Sequence, residues 1–450
     1  MTNYGMLFVL IVIVAAFSVA TIKEQPVEGR YAGETLAQRF LRENVEGGCI
    51  LVVGTSNDDA KLVDGFNATM TSAEASSRVI AIISAENPPE TKQALIAAMA
   101  ENKDAAPMAL VCSRTTSAYT FFESVEGLAG VGKILPMPET RSSFLKPDNL
   151  NNIPQKMARM AIIAIGMTMV IITAGIDLSV GSLLALAAVA STLLVRVFGG
   201  IEASTPMVLV AFAGGIGLCG LMGALSGALT TAFKIPAFIA TLAMMLIGRG
   251  LAKKLANNQI IKDMPSDVFD ALSRFTIPGT SVTILSSVVI MVVLYAIAHF
   301  VMTRTILGRH IYAIGGNEEA ARLSGVPVNR VLLTVYTITG LLAGVAGVLM
   351  ATEFDSGKAV WGNALELDVI AAVVVGGTSL MGGQGRILGT LIGCAIIVVI
   401  RNGMNLLGLK DFDQMIVMGC VIVGAIILDK VKKGGVPWLN FSALTARAKK

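Results

Sequence analysis

The amino-acid sequence predicts a polytopic α-helical membrane protein that carries a small inserted α/β domain near its amino-terminal end. Of its 450 residues, 54% are hydrophobic and only 15% are charged, whereas soluble domains usually contain about 25% charged residues. Apolar segments long enough to cross about 30 Å of hydrocarbon as a helix recur along the chain. One stretch of mixed polarity, after the first apolar segment, instead alternates between strand-like and helix-like runs.

The composition argues against several other classes of protein. The 35 Lys and Arg residues and 31 Asp and Glu residues nearly balance, so the chain lacks the basic excess of a nucleic-acid-binding protein, and we expect no nucleic-acid partner. The two histidines and five cysteines are scattered, and their spacing predicts no metal site. Heptads, a glycine period and a high net charge are also missing, which excludes coiled-coil, collagen-like and disordered structures.

Ten apolar segments are predicted to be transmembrane helices, because each approaches the roughly 20 residues that such a helix needs. The segments at 367–380 and 387–401 are short, so we expect their helices to extend into the flanking residues. The ten predicted spans are residues 5–21, 157–174, 178–198, 206–233, 236–255, 282–302, 331–352, 367–380, 387–401 and 415–428.

The distribution of Lys and Arg predicts the orientation in the membrane, because short basic loops stay on the cytoplasmic side. The loop at 303–330 and the tail at 431–450 are both basic, and the even number of spans between them agrees with both lying inside. The same count puts the amino terminus inside and residues 22–155 outside. Three basic residues do not fit this arrangement, because it places them toward the outer face, where Lys and Arg are less expected. They are Arg249, Lys253 and Lys254.

The first span, residues 1–21, has two interpretations. Its apolar run ends in Ser18, Val19 and Ala20, which suits cleavage of a signal peptide, yet the residues before it lack the usual Lys or Arg. We expect an uncleaved helix. Both interpretations export the segment that follows.

The exported segment, residues 22–155, is predicted to be the α/β domain. Strand-like runs at 49–55, 78–84, 108–113 and 133–138 alternate with helix-like runs at 58–70 and 89–102. This alternation predicts βαβ units on a parallel sheet. The transmembrane bundle follows at 156–430, before the basic tail at 431–450.

A glycine-rich run at 127–133, GLAGVGK, resembles a phosphate-binding loop without meeting its requirements. Such a loop needs Ser or Thr after the lysine and lies between a strand and the start of a helix. Here Ile134 follows the lysine and a strand is expected next. The sequence therefore predicts a turn into a strand and no nucleotide site.

The segment GIDLSVGS at 175–182 lies between two apolar runs. A carboxylate there costs about 2.5–3.5 kcal/mol on insertion scales, so Asp177 needs a polar partner. Gly175 can interrupt the helix, and Asp177 can cap a helix that begins at Leu178. One interpretation is a capped helix start at the membrane edge; the other is a discontinuous helix that lines a solute path.

The loop YAIGGNEEAARLSGV at 312–326 predicts a short exposed helix. We expect a turn at Gly315, Gly316 and Asn317. Asn317 can then cap a helix whose first turn holds Glu318 and Glu319, where acidic side chains favour the helix dipole. This helix either docks into another protein or lies on the lipid headgroups.

The run from residue 366 to residue 393 combines acidic and small residues. Gly385, Gly389 and Gly393 recur every four residues, which predicts close packing of a helix against a neighbour. Glu366 and Asp368 lie at the start of the preceding helix. They suit the dipole there and could also meet a polar solute.

Two further features leave alternatives open. Trp361 could stack on a sugar ring, although a lone Trp near an interface is more often a membrane anchor. Cys49 and Cys112 lie on two exported strands, so a disulfide is possible if their Cα atoms approach within about 4.4–6.8 Å.

Several of these segments resemble, in order, the successive blocks of the ribose/xylose/galactoside-type permeases of ATP-binding cassette (ABC) importers. Together they cover residues 152–430, nearly two-thirds of the chain. The matching blocks are IGMTMVIITAGIDLSVGS (165–182), IPAFIATLAMMLIGRGLA (235–252), GRHIYAIGGNEEAARLSGV (308–326), ELDVIAAVVVGGTSLMGG (366–383) and NGMNLLG (402–408).

This resemblance implies an inner-membrane transport subunit, not an enzyme, that works by alternating access. Such a subunit pairs with a second permease copy and receives sugar from an extracytoplasmic binding protein. It binds no cofactor, since ATP and Mg are held by a separate ATPase. The resemblance implies coupling to that ATPase through Gly315, Gly316, Asn317, Glu318, Glu319 and Arg322, and a translocation pathway past Asp177, Ser179, Glu366 and Asp368.

The chain also departs from these permeases. They usually have a short loop where this chain inserts residues 22–155. Residues 50–66 resemble the first strand and helix of sugar-binding periplasmic proteins, but those proteins close two lobes on their ligand and this insert holds one. We therefore expect a docking or regulatory module.

The outer loop at 351–363 also differs from the usual one, which leaves the substrate open. A nucleoside or another small hydroxylated solute is the alternative to a sugar. An ion-coupled transporter would need paired charges deep in its spans, and beyond Asp177 and Arg249 few are present. A membrane-anchored sensor would need a cytoplasmic output domain, for which the predicted inner segments are too short.

Overall fold

A computed structural model describes residues 3–25, 27–42, 49–54, 57–73, 78–83, 88–102, 107–128, 130–276 and 283–432. The chain divides into two compact units. A helical unit comprises Met1–Thr21 and Ser143–Lys450, and an α/β unit comprises Ile22–Ser142. Most of the predicted basic tail, residues 433–450, lies outside the described residues.

Helix α1 (Asn3–Ala20) belongs to the helical unit, and the α/β unit follows it in the chain. The elements of the α/β unit are β1 (Ile22–Gln25), α2 (Gly29–Arg42), β2 (Cys49–Gly54), α3 (Asn57–Ser72), β3 (Arg78–Ile83), α4 (Pro88–Glu101), β4 (Pro107–Cys112), α5 (Arg114–Ser117), a 3-10 turn (Thr120–Ser124), β5 (Gly132–Ile134) and β6 (Glu139–Ser142).

Four strands of this unit form a parallel sheet in the order β3-β2-β4-β5. The four predicted strands match these elements, and the two predicted helices match α3 and α4. Side chains alternate along β2: Ile50 and Val52 pack with helices α2 and α3, whereas Leu51 and Val53 join the core on the α4 side. Burial on both faces explains why β2 reads as an uninterrupted apolar run.

The structure rules out a disulfide between Cys49 and Cys112. Cys49 begins β2 and lies in register with Pro107 at the start of β4, while Cys112 ends β4. Cys112 lies in register with Val53, four residues after Cys49, so at about 3.3 Å per residue the two cysteines are roughly 13 Å apart along the strands, well beyond disulfide reach. Burial raises the pKa of the Cys112 thiol to about 12, so it is not a reactive thiolate.

The glycine-rich run at 127–133 forms the predicted turn into a strand. Gly127 and Gly130 have φ angles of 89° and 87°, a region that glycine enters without steric cost. Strand β5 begins within the run, at Gly132, and no helix begins at the described residues 127, 128 and 130–133. The run therefore has the wrong geometry for a phosphate-binding loop.

The α/β unit ends earlier in the chain than predicted. Strands β1 and β6, which the sequence did not reveal, pair antiparallel from Ile22 opposite Ser142 to Gln25 opposite Glu139. The backbone N–H of Ser143 donates to the carbonyl of Thr21 at 3.1 Å. This pairing closes the unit at Ser142, so the expected boundary at residue 155 is too late.

The remaining elements all belong to the helical unit. They are α6 (Pro147–Ile172), α7 (Val180–Val197), a 3-10 turn (Gly200–Glu202), α8 (Thr205–Ala232), α9 (Ala237–Leu255), α10 (Ser266–Ser273), β7 (Arg274–Thr276), β8 (Thr283–Leu285), α11 (Ser286–Arg304), α12 (Ile306–Gly316), α13 (Glu318–Leu323), α14 (Val328–Glu353), α15 (Leu365–Val375), α16 (Ile387–Leu406) and α17 (Asp411–Lys432).

Each of the ten predicted spans overlaps a helix of this unit. The helix expected at 387–401 extends to Leu406, as predicted, but the one expected at 367–380 ends at Val375, because a turn with left-handed Gly377 follows it. Among the described residues, six helices are long and apolar enough to cross a membrane: α6, α7, α8, α11, α14 and α16. Helix α1 contains a shorter apolar stretch, Gly5–Ala20. Large apolar side chains such as Leu221 on α8 and Phe300 on α11 are exposed, as expected for helices that face lipid or a membrane partner. The total of ten spans stays a prediction.

Small residues let the central helices of this unit approach closely. Helices α14 and α8 meet at Gly340 and Gly223, where a Cβ atom on either glycine would lie 3.1 Å from the Cα atom of the other. Helix α16 meets α15 in the same way, since a Cβ on Gly393 would lie 2.8 Å from the backbone nitrogen of Gly376. Gly389 and Gly393 of the predicted small-residue face therefore form a packing surface, whereas Gly385 lies in the loop before α16 and is not part of that helix.

Candidate functional site

The chain between α6 and α7 is not helical, and it carries Asp177. The Asp177 side chain is fully buried. Its Oδ1 atom accepts hydrogen bonds from the backbone N–H of Ser179 at 2.8 Å and from the Ser179 hydroxyl at 2.6 Å. The other oxygen, Oδ2, has no hydrogen-bond partner among the described residues. A buried acceptor of this kind is costly unless a donor arrives, and a polar solute can supply one.

The predicted interruption of the helix is present, but the predicted cap is wrong. Helix α7 begins at Val180, not at Leu178, and Ser179 occupies the cap position without a side-chain capping bond. The reason is that Asp177 bonds to the N–H group two residues later in the chain, which makes an Asx turn ahead of the helix.

Two neighbouring helices enclose this interruption. The hydroxyl of Thr241 on α9 donates to the carbonyl of Ile176 at 3.1 Å. On the other side, Tyr336 of α14 is almost fully buried, and a Cβ on Gly175 would lie 2.5 Å from its hydroxyl oxygen. The non-helical segment is thus held inside the bundle, where the Ile176 carbonyl finds a donor on α9.

Glu366 is brought against the start of α7, so two segments that the sequence analysis treated separately meet. It lies in the first turn of α15 and is largely buried. A Cβ on Gly181 would overlap both Oε2 of Glu366 and the carbonyl oxygen of Gly362. Like Asp177, Glu366 has one buried oxygen, Oε2, without a hydrogen-bond partner among the described residues.

Asp368, the other predicted residue on this helix, is engaged elsewhere. Its carboxylate forms an ion pair at 2.6 Å with Arg401 of α16. The Asp368 side chain is mostly buried and Arg401 is partly exposed. This pair joins α15 to α16 and leaves the carboxylate less capacity to bind a solute.

Arg249 of α9 completes the site. Its guanidinium donates to the carbonyls of Ala359 at 2.7 Å, Trp361 at 2.5 Å and Gly362 at 3.2 Å. It thereby holds the segment that leads into α15, and with it Glu366. We call Asp177, Gly181, Arg249, Gly362 and Glu366 the polar site.

Arg249 was not among the predicted site residues. The sequence marked it as a basic residue that conflicts with the predicted orientation and as one of the few charges within the spans. The available signal was its position in an apolar helix, since charged residues inside spans usually have a functional or structural partner. The other two conflicting residues, Lys253 and Lys254, lie in the last turn of α9, where cations favour the helix dipole.

Trp361 is half-buried and packs beside Phe354, with ring centroids 5.5 Å apart. Its indole ring therefore has an aromatic neighbour from the same loop, and Lys358 lies 5.8 Å from its centroid. Its carbonyl, not its ring, contacts the polar site through Arg249.

The predicted exposed helix is present as α13. The Asn317 side chain accepts a hydrogen bond from the backbone N–H of Ala320 at 2.9 Å, as a helix cap does. Glu318 and Arg322 form an ion pair at 2.7 Å along one exposed face. Leu323 is 85% exposed. A capped helix with a charged face and an exposed leucine has the character of a docking surface.

The residues before α13 differ from the prediction. Gly315 and Gly316 do not form a turn; both belong to helix α12, and the chain breaks at Asn317 alone, where φ is −162°. The reason for glycine at position 315 is packing, because a Cβ there would overlap the carbonyl oxygen of Ile172. The six predicted coupling residues nevertheless lie together across the α12–α13 junction.

Comparison with known proteins identifies the helical unit. Residues 149–426 match the family described as "Branched-chain amino acid transport system / permease component". The chain belongs to this permease family. The match begins after the α/β unit and includes every residue of the polar site and of α13. No solved structure matches the chain significantly.

Several curated relatives in this group are named as sugar permeases. The chain is 43% identical over 291 residues to the ribose import permease protein RbsC of Escherichia coli K12, which covers 65% of this chain and 88% of the relative. It is 34% identical to the L-arabinose ABC transporter permease protein AraH of Azospirillum brasilense, over 65% of this chain and 83% of the relative.

A third relative is the D-allose transport system permease protein AlsC of Escherichia coli K12, at 34% identity over 64% of this chain and 85% of the relative. The resemblance to ribose-type ABC permeases, which the sequence blocks indicated, is thus confirmed. The chain is a multi-pass membrane protein of this family.

Proposed function

We propose that this chain is the membrane-spanning permease subunit of an ABC importer and that it moves a monosaccharide or similar sugar by alternating access. The observation that carries the proposal is the 43% identity to a ribose import permease across 88% of that protein. ATP hydrolysis belongs to a separate ATPase subunit, which holds ATP and Mg. An extracytoplasmic sugar-binding protein and a second permease copy complete the importer.

The docking surface for the ATPase is α13. Its Glu318 and Arg322 side chains lie on the exposed face, whereas Ala321 is buried against the bundle. The two termini of the helix are fixed by the Asn317 cap and by Gly325, whose φ angle is 83°. A short helix that is fixed at both ends moves as a rigid body. A displacement of the ATPase is therefore passed to the permease, as an element that couples two subunits requires.

Reversing one charge on α13 tests this surface. We expect Glu318→Arg to weaken association with the ATPase about tenfold, roughly 1.4 kcal/mol, because it breaks the pair with Arg322 and changes the charge presented to the partner. Co-purification of the ATPase with a tagged permease measures the effect. Glu202→Arg, an equal reversal at an exposed residue between α7 and α8, should leave association unchanged. Equal losses in both variants would contradict the assignment.

The polar site is the best candidate for the sugar path. Asp177 and Glu366 each present a buried oxygen without a donor, and both lie near the start of α7. A sugar has several hydroxyl groups that can donate hydrogen bonds to these two oxygens as it moves through the site. Because a sugar is uncharged, its entry does not carry the free-energy cost of desolvating an ionic solute. Helices interrupted within a bundle are a recurrent way of building such sites in transporters.

Uptake by reconstituted vesicles tests the function directly. Vesicles should hold the chain together with the ATPase that co-purifies with it, and the binding protein should be present at the opposite face. We expect uptake of radiolabelled D-ribose, L-arabinose or D-allose that requires ATP. Uptake of adenosine alone would favour the nucleoside alternative. Full-rate uptake without ATP would reject the ABC assignment.

The α/β unit is proposed to lie outside the membrane as a docking or regulatory module for the binding protein. Two observations support a module that is separable from transport. It enters and leaves through the paired strands β1 and β6, and the family match begins after it. The basic α12–α13 region is proposed to face the cytoplasm, as short basic loops do.

Excising this unit tests its role. We expect a chain that lacks residues 22–142, with Thr21 joined to Ser143 by a short glycine-serine linker, to fold and to keep maximal ATP-dependent uptake. The reason is that Ser143 already donates a hydrogen bond to Thr21 across this gap at 3.1 Å. More binding protein should be needed for half-maximal uptake. Loss of maximal uptake in a folded variant would show that the unit belongs to the transport path.

A further inference from the structure

Three backbone segments meet at the carboxyl end of α6. They are the last turn of α6 at Ile172, the last turn of α12 at Gly315, and the loop between α15 and α16 at Gly383. We call this meeting point the glycine junction. None of the three segments is adjacent to another in sequence.

The contacts at the glycine junction are made by backbone atoms. The N–H group of Gly383 donates to the carbonyl of Ile172 at 2.9 Å. A Cβ on Gly315 would overlap that same carbonyl oxygen and would lie 2.5 Å from the nitrogen of Gly383. A Cβ on Gly382 would lie 2.9 Å from the carbonyl oxygen of Gly315. A side chain larger than hydrogen at position 315 therefore has no room.

A second link ties α12 to the same loop. The hydroxyl of Tyr312, one turn before Gly315, donates to the carbonyl of Gly385 at 2.8 Å. The loop itself bends tightly, with φ angles of 83° at Gly382 and 71° at Gly383. Helix α12 is thus fixed to the loop at two successive turns.

Each segment of the glycine junction leads to a part of the proposed transport machinery. Gly315 lies two residues before Asn317, which caps the docking helix α13. The chain passes from Ile172 into the interruption that holds Asp177. The loop at Gly383 joins α16 to α15, whose first turn holds Glu366.

We propose that the glycine junction transmits movement of the docking helix α13 to the two carboxylates of the polar site, Asp177 and Glu366. The inference rests on the proposed function, since it assumes that an ATPase moves α13. Backbone-to-backbone contacts have no rotamers to absorb a displacement, so a shift of α12 must shift the end of α6 and the α15–α16 loop together. Gly315 is a positioning residue in this scheme and does not touch the sugar.

A glycine outside the coupling region gives a matched control. Gly315→Ala adds a methyl group at the junction. Gly419→Ala adds the same group to helix α17, where a Cβ would have no neighbour within 4 Å. In the vesicles described above, D-ribose uptake and ATP hydrolysis are measured together, and their ratio reports coupling. We expect the ratio to fall about tenfold for Gly315→Ala and to stay at the wild-type value for Gly419→Ala, with the ATPase co-purifying normally in both.

A gentler variant keeps the test decisive if Gly315→Ala fails to fold. Tyr312→Phe removes only the hydrogen bond to Gly385, and we expect it to lower the same ratio by a smaller factor. An unchanged ratio in Gly315→Ala would overturn the inference, and so would an unchanged ratio in Tyr312→Phe if Gly315→Ala cannot be purified. Wild-type vesicles that move no sugar would instead reject the proposed function, so the two failures are distinguishable.

Discussion

Replacing Arg249 with methionine is expected to destabilise the protein by about 1.5–3 kcal/mol, because the carbonyls of Ala359, Trp361 and Gly362 lose the charged donor that they share. The change also removes the cation nearest in effect to the largely buried Glu366 carboxyl group. Thermal unfolding of the purified protein measures the loss. Uptake per folded molecule should fall as well, since the segment that positions Glu366 is released.

Two companion variants separate the charge of Arg249 from its geometry. Arg249→Lys keeps the charge but cannot spread donors over three carbonyls as a guanidinium does, so we expect an intermediate loss. The double variant Arg249→Met with Glu366→Gln removes both charges and should recover part of the stability. A double variant no more stable than Arg249→Met alone would mean that Glu366 is not its electrostatic partner.

Replacing Gly181 with alanine is the second change with a large expected effect. A Cβ at this position would overlap the carbonyl oxygen of Gly362 and Oε2 of Glu366. Both belong to the segment that leads into α15, so the new methyl group separates that segment from α7. Overpacking of this kind costs about 1–3 kcal/mol, and we expect ATP-dependent sugar uptake to fall by about tenfold or more.

The control for Gly181→Ala is a glycine-to-alanine substitution at a helix position where the added methyl group contacts no other atom. Gly217 lies in the middle of α8, and a Cβ there would meet no atom within 4 Å. Because alanine is favoured over glycine in a helix by about 1 kcal/mol, Gly217→Ala should be neutral or stabilising. Opposite signs for the two variants would confirm that position 181 is limited by packing. Equal uptake in both would contradict the proposed contact.

Much of the fold was predictable because its signals are local. Apolar segments of the right length marked the helices, and the alternation at 49–113 marked the parallel strands, since burial on both faces makes such strands continuously apolar. The Asn317 cap was predictable for the same reason, because a cap depends on residues three positions apart. Antiparallel strands β1 and β6 were missed because they are short, polar and far apart in the chain.

The candidate site was predictable only in part. Asp177 and Glu366 stood out, since a carboxylate in an apolar segment is costly and needs an explanation. Their approach at Gly181 could not be read from the sequence, because it depends on how α7 and α15 pack. The same limit explains the error at Gly315, where a glycine pair suggested a turn and the structure uses one of the two glycines for a close backbone contact.

The sequence by itself determined the class of protein, the positions of the long apolar helices and of the parallel strands, and the permease family, because composition, periodicity and short motifs are properties of neighbouring residues. Only the tertiary structure decided that Arg249 holds the segment that leads to Glu366, that Asp368 is paired with Arg401, and that Cys49 and Cys112 are too far apart to join. These facts depend on distances between residues far apart in the chain, which are fixed when the helices and strands pack together.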